Sequence, residues 1–563
     1  MAISKRGPTI LVPPLQWDLA PLVASAALIL TTSFFGVWGL IVAGERCGEL
    51  NAAEVVYRLV LLFAPDGENL RMSPDCALPW QLLVARTTGF LAAFAAILQV
   101  FLSGLHRLWN VWRLRCVKGH VAVIGFTPEA LEVAALFRRR EETVIAAGQA
   151  PGDDHRDHCH SHGVPVVYAP ITDIARLFET ARVGKAKRVF VDLPSDADTI
   201  TLAKAAECGR KFVHIRDCAF AARLGDYEMG HGTRIVNIAT LTARDVLARF
   251  PIYAWAELHR HDRVHAVLAG YSDTAEALIR AIGTLCHTRS LAAPRVVVQD
   301  ANPAAASSRF RASFPHVRSE HVDVWFEEEN IDALLDRSRP ITAVFVTSDS
   351  GERNLALAVT LQQRLVRERG DTPPILVHLR DRELPVNGAA QFGEPLRAFG
   401  HLRQVLADSE IAFDDGDKIA KAIHAKYLEH NPGKPWETLQ DTYREANRRV
   451  ADHIPVKLMI AGFELDDVDR PLADFPHAVM NLTPELITAL AKAEHRSWCA
   501  ERAFNGWRPG AQSSPTLRIH DDLVDFESLD PAAQAKARRQ VQDLAAMLAV
   551  PGRKPELRQT VSG

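Results

Sequence analysis

Apolar positions crowd into two early stretches of the chain and afterwards settle into short, regular alternations. From Leu19 to Gly44 no side chain ionises, and the run carries Leu28, Ile29, Leu30, Phe34, Phe35, Val37 and Leu40. A second uncharged run, rich in Leu, Ala, Phe, Ile and Val, extends from Thr87 to Leu105. About 20 helical residues cross a hydrocarbon core, so membrane-spanning helices are predicted over about 20–43 and 86–105. The first run is long for the apolar part of a cleavable leader and begins well inside the chain, which argues against a signal peptide. Between the runs, Ala52 to Phe63 is largely apolar and predicts a short helix able to re-enter the membrane.

Basic residues flank this segment. Lys5 and Arg6 precede it, and Arg107, Arg113, Arg115 and Lys118 follow, which places both termini in the cytoplasm of a multi-pass cell (inner) membrane protein. Trp17, Trp80, Trp109 and Trp112 suit the headgroup level. On the second run Thr88, Ala92, Ala95, Gln99 and Ser103 recur at steps of three and four and share one helical face. Two readings stand: the face lines a pore, or its small residues let helices pack closely with Gln99 bonded across the interface. Glu45, Glu49, Glu54, Asp66, Glu68 and Asp75 outnumber Arg46, Arg58 and Arg71 between the runs, a bias that attracts cations. The order helix, re-entrant segment, helix resembles two-helix potassium channels. The chain departs from them at the filter, where Ala64-Pro65-Asp66-Gly67-Glu68 replaces the threonine- and glycine-containing loop whose carbonyls select potassium.

From residue 118 strands and helices alternate, as in a doubly wound parallel sheet. The strand His120 to Gly125 leads into a helix from Pro128 to Arg140, with Thr127 and Ala130 where a dinucleotide fingerprint has its second and third glycines. The next strand, Thr143 to Ala147, lacks the acidic residue that holds a ribose, so this copy is expected to bind no dinucleotide. Val164–Tyr168, Val189–Leu193 and Phe212–Ile215 continue the pattern. Together with the basic linker, the unit resembles the regulator-of-potassium-conductance (RCK, or TrkA N-terminal) domain over about Lys118 to Leu224. A second copy starts at Arg263-Val-His-Ala-Val-Leu-Ala-Gly270, continues through Ser272, and reaches the strand Arg295 to Asp300, where the acid is present. Its strand Ala343–Thr347 leads to Asp349 and Asn354, which resemble that family's residues at the ligand crevice. Gly270, Ser272, Asp300, Asp349 and Asn354 are therefore the cofactor-binding candidates, for NAD or an adenine nucleotide. In that family tandem copies form a ring around a pore, which implies a homo-oligomer, most simply a tetramer.

Beyond about residue 409 the pattern turns helical and repeats itself. Ala422-Ile-His424-Ala-Lys-Tyr427 matches Ala493-Glu-His495-Arg-Ser-Trp498, and Pro435-Trp436 through Arg448-Arg449 matches Asp525-Phe526 through Arg538-Arg539. The copies span about 415–460 and 485–550. The second, with Gly506-Trp507, His520, Phe526 and Leu529, resembles the repeat domain of ryanodine receptors over roughly Glu485 to Leu548. His495, Trp498, Arg502 and Trp507 either form an aromatic, cationic pocket for a planar anion or are core residues at helical spacing. The fold class expected is thus a membrane helical hairpin (1–117), two Rossmann-like domains (118–260 and 261–408) and an all-α repeat module (409–563).

Composition adds limits. Lys and Arg number 65 against 68 acids, which removes nucleic acid from the expected partners and leaves lipid and small ligands. Of eight cysteines, Cys47 and Cys76 fall on the outer side and are placed to bridge, while the others stay reduced in the cytosol. Asp153 to Cys159 to His162 is rich in metal-ligand types but has no fixed spacing, and is expected as a solvated surface loop without metal. No acid, base and hydride-acceptor set follows the broken glycine fingerprints, so an enzyme is not expected. The remaining readings are a ligand-regulated cation channel-like protein, with potassium among the ions, and a non-conducting membrane-anchored sensor, scaffold or defence effector.

Overall fold

The computed structural model describes residues 9–11, 19–47, 51–63, 77, 79–149, 154–225, 227, 232–335, 340–369, 373–380, 396–407, 409, 411, 417–462 and 482–548. The side chains of 1–24, 47 and 102–115 lie outside that description, as do Asp66 and Cys76, so the bridge between Cys47 and Cys76 falls outside it too. The chain divides into two compact units, the first formed by residues 1–118 with 163–167 and the second by the remainder.

The first unit holds a short strand β1 (Thr9–Leu11), α1 (Leu19–Cys47), α2 (Ala52–Leu61) and α3 (Trp80–Cys116). Ser25–Arg46 and Trp80–Gln99 are long and apolar enough to cross a membrane. The apolar stretch of α3 begins at Trp80 and includes Arg86. α2 starts where the Asn51 side chain accepts the Glu54 N–H at 2.8 Å, an N-cap that lets a short apolar helix begin. Leu40, Leu62, Leu82 and Ala85 form the hairpin's core. Glycines allow the close approach: Gly89 faces the Leu62 carbonyl with no room for a side chain.

The second unit contains two parallel sheets. In the first, β3 (Val144–Gly148), β2 (Val121–Ile124), β5 (Arg188–Val191), β6 (Lys211–His214) and β7 (Thr233–Val236) stand side by side. In the second the order is β10 (Asp323–Glu328), β9 (Arg295–Asp300), β8 (His265–Ala269), β11 (Ala343–Val346), β12 (Ile375–His378) and β13 (Leu396–Phe399). Their Val- and Ile-rich central strands are buried on both faces, as helix-covered parallel strands must be. This arrangement is the doubly wound dinucleotide fold, whose ligand crevice opens where the order reverses, between β2 and β5 and between β8 and β11.

One expectation is corrected. The polar stretch read as a loop is a helix, α5 (Asp154–Ser161). Its single apolar anchor, Cys159, is buried, and His162 Nδ1 lies 2.9 Å from the His158 carbonyl at the helix end. A helix with one anchor leaves almost no hydrophobic periodicity to detect.

Helices α9 (Ile238–Arg249) and α10 (Ile252–Leu258) follow β7 and share an apolar core with the second sheet. The C-terminal module comprises α16 (Lys418–Leu428), α17 (Asp441–Asp452), α18 (Ile454–Ile460), α19 (Pro484–Phe504) and α20 (Pro531–Leu548). It is not wholly helical, since β14 (Arg508–Pro509) and β15 (Ile519–His520) form a small parallel pair. The histidines matched between the two copies make similar contacts. His424 Nε2 lies 2.9 Å from the Lys434 carbonyl and His495 Nε2 lies 2.7 Å from the Val524 carbonyl, each just before a single 3-10 turn. α16 then packs on α17 as α19 packs on α20.

Candidate functional site

In the second sheet domain, β8 ends at Gly270, which adopts φ +95° and lies against Ser348 after β11; a Cβ would come within 2.9 Å of that backbone. The next residues open α11 (Asp273–Leu285), where the Ser272 hydroxyl accepts the Ala275 N–H at 3.3 Å as N-cap. Asp300, at the end of β9, accepts N–H groups from Tyr271 (2.9 Å) and Asn302 (2.8 Å). A glycine turn, a helix N-terminus and a carboxylate on the neighbouring strand therefore converge at the switch point, the arrangement that takes pyrophosphate and ribose. Asp349 is exposed at its rim. Asn354, on α14 (Gly351–Arg364), is buried and fully committed: its oxygen accepts from Ser348 N (2.9 Å) and Oγ (2.6 Å), and its nitrogen donates to the Ser348 and His378 carbonyls. It shapes the crevice from behind.

Three residues at this crevice escaped the sequence reading. The Tyr271 hydroxyl donates to Glu276 at 2.9 Å, Arg309 on α12 (Pro303–Ser313) lies over the Tyr271 ring at 5.3 Å, and the same Arg309 pairs with Asp273. Burial pushes the Glu276 carboxyl above its ordinary range, against the pull of Tyr271 and Arg309. A carboxylate at a core position of an amphipathic helix was the available signal for Glu276; Arg309 left none.

The first sheet domain closes the equivalent place. Gly125, at φ +117°, abuts the Asp192 carbonyl so tightly that no side chain fits. Thr127 caps α4 (Pro128–Arg139) and donates its hydroxyl to the buried Asp192, which is also 2.8 Å from Arg216 and 3.0 Å from His214. Burial alone would raise the Asp192 pKa, yet His214, Arg216 and Thr127 together hold it below the ordinary value. Glu129, in the first turn of α4 where a phosphate would sit, is clamped by Arg380 from beyond β12. Both domains thus keep their first glycine for strand packing, and that glycine alone carries no information about a ligand.

In the second helical repeat the four residues singled out by sequence come together with His520. Trp498 meets the His520 ring edge-on at 5.0 Å, and Trp507 lies 6.2 Å from it. The Arg502 guanidinium sits 5.9 Å from the Trp498 ring and 5.1 Å from that of Trp507, so both indoles already face a cation. His495 is buried beneath, against Phe526 at 5.9 Å. The ribbon β14/β15, which the first repeat lacks among its described residues, carries Trp507 and His520 to this place. His520, Asp521 and Asp522 group three residues of metal-ligating type, two of them half-exposed. Residues 477–554 match the RyR domain family. The RyR domain match covers the second repeat, including α19, the ribbon and α20.

On α3 the Thr88 hydroxyl lies 2.9 Å from that of Thr32 on α1, and Ala92 is buried in the hairpin, while Ala95 and Gln99 are half-exposed. Ser103 falls among the undescribed side chains. No curated protein matches the chain. Solved structures similar to it include the GsuK channel bound to NAD (13% identity, 71% of this chain and 86% of that one, TM-score 0.39). The GsuK bound to ADP (15%, 69% and 98%, 0.37) and the GsuK RCK domain (13%, 56% and 79%, 0.35) are further examples.

Proposed function

We propose that this chain is a ligand-regulated, channel-like membrane protein, in which a nucleotide in the second sheet domain acts on an oligomeric bundle of helix hairpins that passes cations. The observation that carries the ligand side is the contrast between the two crevices. One presents Gly270, the α11 N-terminus and Asp300 together, while the other is filled by Thr127, Asp192 and Glu129. The ligand expected is NAD or an adenine nucleotide, with Asp300 on a ribose hydroxyl and the α11 N-terminus toward phosphate. Ser272 in place of glycine narrows the approach and favours a ligand that contacts the turn from its rim, beside Asp349. The RyR domain serves regulation, with Trp498, Trp507 and Arg502 as its ligand-facing group. No catalytic role is assigned.

Conduction rests on the two apolar helices and on Ala95 and Gln99, which remain half-exposed on the hairpin and available to line a shared path. A tetramer is the simplest closed assembly, since one hairpin encloses no pore. The engagement of Thr88 with Thr32, and the burial of Ala92, favour the alternative of a non-conducting anchored sensor. Ion flux from proteoliposomes in sodium and potassium gradients, with and without adenine nucleotides, separates the two. Nucleotide-dependent flux that falls in Gln99→Leu and loses its nucleotide response in Asp300→Ala supports the channel. Absence of flux from folded oligomer, with nucleotide binding retained, leaves the sensor; absence of both removes the ligand assignment.

A further inference from the structure

The RyR domain enters the second sheet domain by the end of α19. Phe504, the last residue of that helix, is 1% exposed and belongs to the same apolar core as β8, β9 and α11. Its ring lies so close to Gly283 on α11 that a Cβ there would come within 2.8 Å of it. Beside this contact Arg280 of α11 donates to the Asn505 side-chain oxygen at 2.9 Å, and Arg518, just before β15, donates to the Asn505 carbonyl at 2.6 Å.

From Phe504 a row of rings runs back to the crevice. Phe504 meets Phe314 edge-on at 5.1 Å, Phe314 lies 5.3 Å from Phe310, Phe310 lies 5.9 Å from Phe326 on β10, and Phe326 meets Tyr271 edge-on at 5.7 Å. Every step is a direct ring contact. Tyr271 stands between Gly270 and the Ser272 N-cap, and its N–H is the one held by Asp300. Phe326, Arg309 and Glu276 together seat its ring, and that seat fixes the turn at which a phosphate would arrive. Close-packed side chains pass a displacement on rather than absorb it. At the far end of the row, Arg502, which faces Trp498 and Trp507, precedes Phe504 by two residues, and Trp507 follows it by three. Whatever engages the Trp498, Arg502 and Trp507 group therefore bears on Phe504 and Asn505.

We infer that, given a nucleotide in the second crevice as proposed above, the RyR domain of the same chain regulates its binding. Phe504 and Asn505 are positioning residues for the Tyr271 turn, and the crevice is energetically coupled to the Trp498, Arg502 and Trp507 group. Such coupling is reciprocal. A nucleotide that orders the turn also orders the end of α19.

The test is calorimetric titration and hydrogen exchange of the full-length protein in detergent with ADP and, separately, with NAD. In wild type the nucleotide is expected to protect the amides of 270–276 and, through the row, those of 502–508. Phe504→Leu interrupts the row, and Gly283→Ala pushes the Phe504 ring from the opposite side. Each is expected to weaken nucleotide binding about fivefold or more and, at saturation, to abolish protection of 502–508 while keeping that of 270–276. If one of the two fails to fold, the other carries the test. Leu490→Ala opens a cavity in a separate core on the first half of α19 and is expected to leave affinity and both protections unchanged. Protection of 270–276 without 502–508 in wild type, or unaltered affinity in the folded variants, overturns the coupling and leaves the nucleotide reading in place. Protection of neither segment, with no saturable binding of either nucleotide, overturns both.

Discussion

Glu494 pins the two helical repeats together, and its replacement offers a demanding test of how they are held. Its carboxylate on α19 lies 2.7 Å from Arg449 on α17, 3.1 Å from His453 Nδ1 between α17 and α18, and 2.5 Å from Lys457 on α18, all in the first repeat. Lys457 and His453 are essentially without solvent contact, at 1% and 0% exposure. Glu494→Gln strands Lys457 and Arg449 as buried cations. Removing one partner from such a cluster costs about 3–5 kcal/mol, most of it the penalty of the charges left behind. Lys457→Met has the opposite character. It leaves Arg449 and Glu494 as a one-to-one pair and fills a similar volume with apolar atoms, at an expected cost below about 1.5 kcal/mol. The double variant should be less destabilised than Glu494→Gln alone. Because a multi-module protein does not unfold in one step, the readout is hydrogen exchange of α17 to α19 amides in the full-length protein, which reports local opening free energies. Equal losses for Glu494→Gln and Lys457→Met, or a loss under about 0.5 kcal/mol for the former, would refute this account.

Four histidines, two glycines and Arg380 extend the tests. Burial lowers His287 to about 3 and His321, His378 and His453 to about 4, so the unfolded chain protonates them below 6.5 while the folded chain does not. Stability is then complete above pH 6.5 and falls as the pH drops toward 4, by about 2 kcal/mol per histidine at pH 5, which thermal unfolding across that range should show; a flat profile contradicts it. Gly125→Ala combines a positive φ with collision against the Asp192 carbonyl and should cost about 3 kcal/mol or more, whereas Gly209→Ala, with open space around it, should be close to neutral in the same melts. Arg380→Ala frees Glu129 in the first turn of α4, and exchange of the α4 amides should rise while that of α14 stays unchanged.

What could be read along the chain was whatever repeats at short range. Two uncharged runs, strands bounded by turn residues, and the match of His424 with His495 are properties of neighbouring residues, and hydrophobic periodicity records them directly. α5 was lost for the same reason, since its one buried residue, Cys159, sets no period. Tertiary structure alone showed what fills the first crevice. Thr127 and Asp192 are 65 positions apart and Glu129 and Arg380 are 251 apart, so no local pattern announces that they fill the first site. It also decided that Trp507 and His520 join Trp498 through an inserted ribbon. Such pairings depend on where separate elements come to rest, and desolvation, which sets their energy, exists only once the chain has packed.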